Sequence, residues 1–217
     1  GSVNGASSQN VPQNEISQTL INTTTIPATV TYTVIPTSGI CGGNAFTVTV
    51  TVNPAINPNI VVNNSTCFGI NNASISTTIT GGIPFSSGPA YLINWTGPNG
   101  FTSSATSITN LLPGVYNLTI DDAGGCPFSD TYTITEPTDI IISVDSENDI
   151  TCFDSANGSI NVSITGGTGN YFYTWTYNGN PYSTNEDISN LSPGTYIVSV
   201  TDVNNCGPKT TSFTISQ

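Results

Sequence analysis

A chain of 217 residues with thirteen acidic side chains, a single basic one (Lys209), and no His, Arg or Met carries a net charge of −12. That balance excludes nucleic acid and anionic membrane surfaces as partners, because both need clustered Lys and Arg. Charged residues make up only 6%, far below the usual quarter. The Thr, Ser and Asn that replace them alternate with Val, Ile, Tyr and Phe, which is a strand signature rather than one of disorder.

Residues 1–14 are polar and unpatterned, and are expected to form a flexible lead whose Gly1-Ser2 looks like a cloning scar. Strand-like runs follow at Glu15–Ile21, Thr29–Ile35 and Ala45–Val52. The third places Phe46, Val48, Val50 and Val52 on one face and Thr47, Thr49 and Thr51 on the other. Three strands in residues 15–55 make a poor independent core, so this segment reads as part of a β module. Asn53 to Pro58, with Pro54 and Pro58, reads as a semi-rigid linker.

From there a block of roughly eighty residues occurs twice, over 56–137 and 138–217. Thr66-Cys67-Phe68 recurs as Thr151-Cys152-Phe153, and Gly81-Gly82 as Gly166-Gly167, fourteen residues after the cysteine each time. Trp95 recurs as Trp175. Asn110-Leu111-Leu112-Pro113-Gly114-Val115-Tyr116 recurs as Asn190-Leu191-Ser192-Pro193-Gly194-Thr195-Tyr196. Asp122 and Cys126 recur as Asp202 and Cys206. Six or seven short strands per copy, with Gly, Pro, Asn or Asp at the turns, predict an all-β chain of tandem immunoglobulin-like β-sandwich repeats. No run is long enough and apolar enough to cross a bilayer; Ile140-Ile141-Ile142 is about the longest aliphatic stretch.

The repeated residues admit few chemical roles. Trp95 and Trp175 fit a core tryptophan on a central strand better than a sugar platform, which Tyr177 and Tyr182 could extend only in the second copy. The Leu-x-Pro-Gly-x-Tyr run resembles a tyrosine corner. Cys67 with Cys126, and Cys152 with Cys206, form two natural within-copy pairs, each expected to stabilise its module by roughly 4 kcal/mol. The alternatives are reduced thiols or a metal site, but zinc has neither His nor a Cys-x-x-Cys spacing to use. Disulfides imply an extracytoplasmic setting. Cys41 is left over as an unpaired cysteine. Asp145, Glu147 and Asp149 alternate, so they would share one face of an extended segment; they are candidate calcium ligands or a solvated acidic edge. Asp122 and Asp202 fit side-chain capping of a turn. Without His, and with acids spread over turns, the chain is not expected to be an enzyme and needs no cofactor, calcium apart.

Together, Thr-Cys-Phe, the strand ending in Gly-Gly, the Tyr-x-x-x-Trp strand, Asn-Leu-x-Pro-Gly-x-Tyr and Asp-x-x-x-Cys resemble the SprB repeat of large Bacteroidota cell-surface adhesins, over about residues 59–217. The leading segment is similar to the C-terminal part of a PKD-like module. The resemblance implies an extracellular filament on the outer surface, exported by type IX secretion and used in adhesion and gliding motility. Its partners would be substratum or polysaccharide surfaces, neighbouring repeats of the same chain, and a secretion and gliding machinery reached through other regions. It supplies no catalytic residues. Five extra residues between Gly82 and Tyr91 in the first copy, including Ile83, Pro84 and Phe85, are candidate ligand contacts, as are Tyr177 and Tyr182. Asp154-Ser155-Ala156 is similar to the short O-glycosylation pattern of these bacteria. The other readings are a carbohydrate-binding module of a secreted polysaccharide-degrading enzyme and a passive spacer.

Overall fold

A computed structural model describes residues 2–9, 11–152 and 155–217. Phe153 of the second Thr-Cys-Phe motif and Asp154 of the glycosylation-like triplet lie outside the described residues. The chain falls into two compact units: residues 1–62, 74–108 and 114–133 form one, and 63–73, 109–113 and 134–217 the other.

The N-terminal strands are β1 (Val3–Asn4), β2 (Ile21–Asn22), β3 (Ala28–Val34), β4 (Thr37–Ser38), β5 (Cys41–Gly42) and β6 (Phe46–Val52). The expected strand over Glu15–Ile21 shrinks to β2. The lead is tied down rather than loose: β1 pairs with β2 through Val3↔Asn22, and Gln18 Nε2 donates to Ser7 O at 2.8 Å. β3 and β6 form an unbroken antiparallel ladder from Ala28↔Val52 to Val34↔Phe46. The threonines face each other across it, as the alternation predicts. Among the described residues Pro54 is the one apolar side chain before Ile56 that is buried, in line with the weak core expected there. A buried Asn22 compensates: its Nδ2 donates to Ile26 O at 2.7 Å and Val52 O at 2.8 Å, and its Oδ1 accepts from Thr24 N at 2.9 Å.

The first copy contains β7 (Ile56–Asn63), β8 (Ala73–Gly81), β9 (Leu92–Thr96), β10 (Thr102–Ser103), β11 (Ser107–Leu111), β12 (Gly114–Asp121) and β13 (Phe128–Ile134). They form one sheet in the order β10-β9-β12-β13 and another in the order β11-β8-β7. The second copy contains β14 (Ile141–Asn148), β15 (Gly158–Thr165), β16 (Phe172–Tyr177), β17 (Asn180–Ser183), β18 (Ile188–Leu191), β19 (Gly194–Thr201) and β20 (Lys209–Ile215). Its sheets run β17-β16-β19-β20 and β14-β15-β18. Each copy is thus a seven-stranded immunoglobulin-like sandwich, and the fold is all-β. The supposed linker at Asn53–Pro58 is instead partly strand: β7 starts at a buried Ile56, and Gly82 N donates to Ala55 O at 3.1 Å. Pro58 is tolerated because β7 lies at a sheet edge, where a missing donor breaks no ladder.

Each core is built on the repeated tryptophan. In the second copy Trp175 is fully buried among Ile160, Val162, Leu191, Val198 and Phe213, with its ring centroid 5.6 Å from that of Phe213. Its Nε1 donates to Asn185 O at 2.9 Å. Trp95 does the same to Ala105 O at 3.2 Å and lies 5.9 Å from the Tyr132 ring. Neither indole is open to a sugar. On β19, Tyr196, Val198 and Val200 point inward while Thr195 and Ile197 point out. Tyr196 Oη donates to Ser192 O at 3.1 Å, closing the tyrosine corner. Asn110 and Asn190 open the two corners with φ of 56° and 58°, a left-handed conformation that asparagine tolerates better than most residues.

Candidate functional sites at the cysteines, the acidic strand and the tyrosine surface

The best-organised polar site in each copy is the turn that carries the last cysteine. Asp202 is completely buried. Its Oδ1 accepts from Asn204 N and Cys206 N, both at 2.9 Å, and its Oδ2 from Thr168 N at 2.9 Å and Thr168 Oγ1 at 2.8 Å. Burial by itself pushes this carboxyl up. The bonds from Cys206, Thr168 and Asn204 together outweigh it and hold the group below its ordinary value. Asp122 is built alike, accepting from Gly124 N at 3.0 Å, Cys126 N at 3.4 Å and Ile83 N at 2.7 Å. The second glycine of each Gly-Gly pair makes room for this carboxylate: a Cβ on Gly82 or Gly167 would lie 2.8 or 2.9 Å from the aspartate Oδ2, at φ of +66° and +59°.

The first cysteine of each copy sits in a loop closed by an asparagine that sequence reading passed over. Asn72 Nδ2 donates to Thr66 Oγ1 at 2.7 Å and its Oδ1 accepts from Thr66 N at 3.1 Å. Asn157 and Thr151 repeat both bonds at 2.7 and 3.2 Å. The signal was present, since each asparagine falls five residues after its cysteine.

The cysteine pairing differs from the expected one. Cys67 is bonded to Cys206, with Cα atoms 5.4 Å apart, while Cys41, Cys126 and Cys152 are free and exposed. The within-copy pairs are therefore corrected, and strand direction supplies the reason. In the second copy β14 and β20 run parallel: Glu147 Oε1 accepts from Thr214 N at 3.1 Å, Asp149 Oδ1 from Ser216 N at 2.7 Å, and Ile150 N donates to Ser216 O at 3.2 Å. Cys152 thus follows the end of β20, whereas Cys206 precedes its start. The strand between them holds them about 20 Å apart, far beyond the reach of a disulfide. Around the bond that does form, Cys67, Phe68 and Ile70 face Ile140, Gly167 and Lys209 across a 340 Å³ cavity. Lys209 Nζ lies 2.6 Å from Asp139 Oδ2, a half-buried pair still open enough to water to have small energetic weight.

The three candidate calcium ligands lie on or just after β14 and not on a linker. A bulge between Val144 and Ser146 takes Asp145 out of register, and its Oδ1 accepts from Ser163 Oγ at 3.0 Å. Glu147 satisfies an amide of β20 and Asp149 the amide just past its end instead. In the first copy a neutral residue does the work of Asp149: Asn64 Oδ1 accepts from Thr135 N at 3.0 Å, beside Ser65 N donating to Thr135 O at 3.0 Å. Among the described residues no three His, Cys, Asp or Glu side chains are grouped to share a metal ion.

Tyr177 and Tyr182 are brought together with Tyr196, though not as a flat platform. Tyr177 stacks on Tyr196 at 4.8 Å and donates its hydroxyl to Pro193 O at 2.9 Å. Tyr182, 43% exposed, meets Tyr196 edge-on at 5.3 Å and is tilted 56° from Tyr177. Burial first, then the neighbouring Tyr182 and Tyr177, push the Tyr196 phenol up against the bond to Ser192. In the first copy Phe101 takes the edge-on place on Tyr116, at 5.5 Å; Gly97 lies where a second ring would stack, its missing Cβ 2.5 Å from the Tyr116 ring. Ile83 and Phe85 are half-buried and Pro84 is exposed. Ile83 O accepts from Ala123 N and Phe85 N donates to Ala90 O, so this loop is tied to its own module. Ile83 and Pro84 line a second cavity with Ile26, Pro27, Gly82 and Tyr91.

Among the described residues no helix is long and apolar enough to cross a membrane. No curated protein matches the chain in sequence. Among solved structures, the three N-terminal domains of the bacteriophage RB49 Highly Immunogenic Outer Capsid protein (Hoc) are similar at 16% identity and a TM-score of 0.48, over 74% of this chain. The chain spans 59% of the length of that structure. The PKD-like domain family matches residues 1–56 and the SprB repeat family matches 145–180, and both are repeat or adhesin-type domains without catalytic machinery. The chain is therefore similar to a PKD-like domain over residues 1–56 and to an SprB repeat over residues 145–180.

Proposed function

We propose that this chain is a repeat segment of a large extracellular adhesin filament. In this reading it reaches the outer surface by type IX secretion and serves adhesion and gliding as a stalk stiffened by disulfides. The observation that carries the reading is the bond from Cys67 of the first copy to Cys206 of the second: a cross-link between successive copies suits a projecting array more than an isolated binding module. The family matches support a surface adhesin repeat region. Contacts to substratum or polysaccharide would be weak and spread over many copies, giving avidity without a deep pocket. The tilt and internal hydrogen bonding of the tyrosines argue against a dedicated sugar platform.

The test is surface labelling followed by blocking. Antibody raised against this chain is expected to label intact, unpermeabilised cells of the source organism, and its Fab fragments to reduce attachment to glass. Labelling only after permeabilisation would remove the surface role. Labelling without loss of attachment would reduce the segment to a spacer.

A further inference from the structure

Two of the four repeat cysteines are bonded and two are free, and the division follows position within the copy. Cys67, on the Thr-Cys-Phe loop of the first copy, reaches forward to Cys206, at the end of the Asp turn of the second. Cys152 is the forward cysteine of the second copy and Cys126 the rear cysteine of the first. Both occupy sites built like those of the bonded pair. The Cys152 loop is clamped by Asn157 as the Cys67 loop is by Asn72, and the Cys126 amide is held by Asp122 as Cys206 is by Asp202. Both thiols are exposed.

Cys41 does not serve as the partner of Cys126. It lies on the β4–β5 hairpin, beyond the Val34↔Phe46 end of the β3–β6 ladder. The Asp122 turn that holds Cys126 bonds to Ile83, next to the Gly82 that meets Ala55, just past the opposite, Val52 end. Seven residues of extended ladder, about 20 Å, separate those two ends.

We propose that the forward cysteine of each SprB-type repeat bonds to the rear cysteine of the repeat that follows, and that Cys152 and Cys126 are the open ends of this series, complementary to each other on separate repeats. The bonded Cys67–Cys206 pair is the template, the same two positions joined in this molecule. Such a contact is heterologous, so it can pass in one direction from repeat to repeat. Bond formation joins two thiols, releasing two protons and two electrons to a disulfide oxidant. With oxidised glutathione, one thiolate attacks its S–S bond to form a mixed disulfide and releases one reduced glutathione, and the second thiolate then attacks the mixed disulfide and expels the other. The inference does not rest on an adhesive role.

The test uses the full chain carrying Cys41→Ser, concentrated in a glutathione redox buffer. Non-reducing electrophoresis is expected to show a ladder at multiples of 22.5 kDa, with peptide mapping identifying Cys126–Cys152 links between chains and an intact Cys67–Cys206 bond. Adding either Cys126→Ser or Cys152→Ser should abolish everything above the dimer and remove the heterotypic peptide. Cys126–Cys126 or Cys152–Cys152 links predominating, a ladder surviving in either variant, a Cys126–Cys152 bond within one chain, or a chain that stays monomeric with both thiols free would each overturn the proposal. Retention of the Cys67–Cys206 bond in every variant reports that the fold is unchanged.

Discussion

Breaking the Cys67–Cys206 bond should destabilise the second repeat, and the structure fixes how much and which variants should share the effect. The cysteines are 139 residues apart; if the whole intervening chain is flexible when unfolded, the chain-entropy relation gives about 5 kcal/mol. If the first repeat stays folded, Ser65 remains bonded to Thr135 and the free loop shrinks to about 70 residues. Because the dependence is logarithmic, that lowers the figure by less than about 1 kcal/mol. For a domain of this size, 1 kcal/mol corresponds to roughly 4–8 °C in Tm, so the loss should be on the order of 20–40 °C. Cys67→Ser and Cys206→Ser should each lower the calorimetric transition of the second repeat by the same amount. Cys126→Ser and Cys152→Ser should leave it within about 2 °C. The within-copy pairing would instead make Cys67 and Cys126 affect one transition, and Cys152 and Cys206 the other. Finding that second pattern, or no shift for Cys67→Ser, would refute the reasoning.

Asp202→Asn keeps one acceptor oxygen for four donors and should cost about 2–4 kcal/mol at neutral pH, read as a fall in the urea midpoint. Because the folded carboxyl is held below its ordinary value of 3.8, its contribution is complete above that value and fades as pH falls through the folded pKa; wild type should therefore lose stability in acid that the variant does not. Tyr196→Phe removes only the hydroxyl bonded to Ser192 O and should cost about 1 kcal/mol by the same measurement. Gly167→Ala imposes a side chain at φ +59° and 2.9 Å from Asp202 Oδ2, for about 2–3 kcal/mol. Gly169→Ala, at φ +76° with open space around it, should cost only about 1–2 kcal/mol.

The sandwich was legible because its signals are local. Alternation on β6, β12 and β19, the asparagine and glycine of the corner, and a tryptophan on a central strand each need only a few neighbouring residues to interpret. The cysteine pairing was not legible, because it depends on the direction of β20 relative to β14, a relation set by the whole sandwich. Spacing within a copy made Cys152 and Cys206 look like partners, whereas parallel packing of the first and last strands puts one strand's length between them. The acidic triplet misled for a related reason. Alternation placed Asp145, Glu147 and Asp149 on one face of an isolated strand, but a bulge at Asp145 breaks that face, and an amide of β20 and the one just past its end occupy the other two. The proline-flanked segment before the first copy carried linker composition and yet entered β7, since an edge strand accepts Pro58.

The cross-link also changes the covalent path along which tension travels. Pull on the two ends of this chain, and force entering at the N-terminus reaches Cys67, crosses the disulfide to Cys206 and leaves through β20. The 139-residue stretch between the cysteines is held out of the path even if every hydrogen bond in it breaks. At about 3.3–3.6 Å per extended residue, the shielded length is roughly 460–500 Å. Single-molecule stretching between the termini should therefore show a total contour gain smaller by that amount under oxidising conditions than in the presence of a thiol reductant. Cys67→Ser should behave like the reduced protein in either buffer. Equal extension with and without reductant would mean that Cys67 and Cys206 are not bonded to each other, and the shielding of the stretch between them would go with the bond.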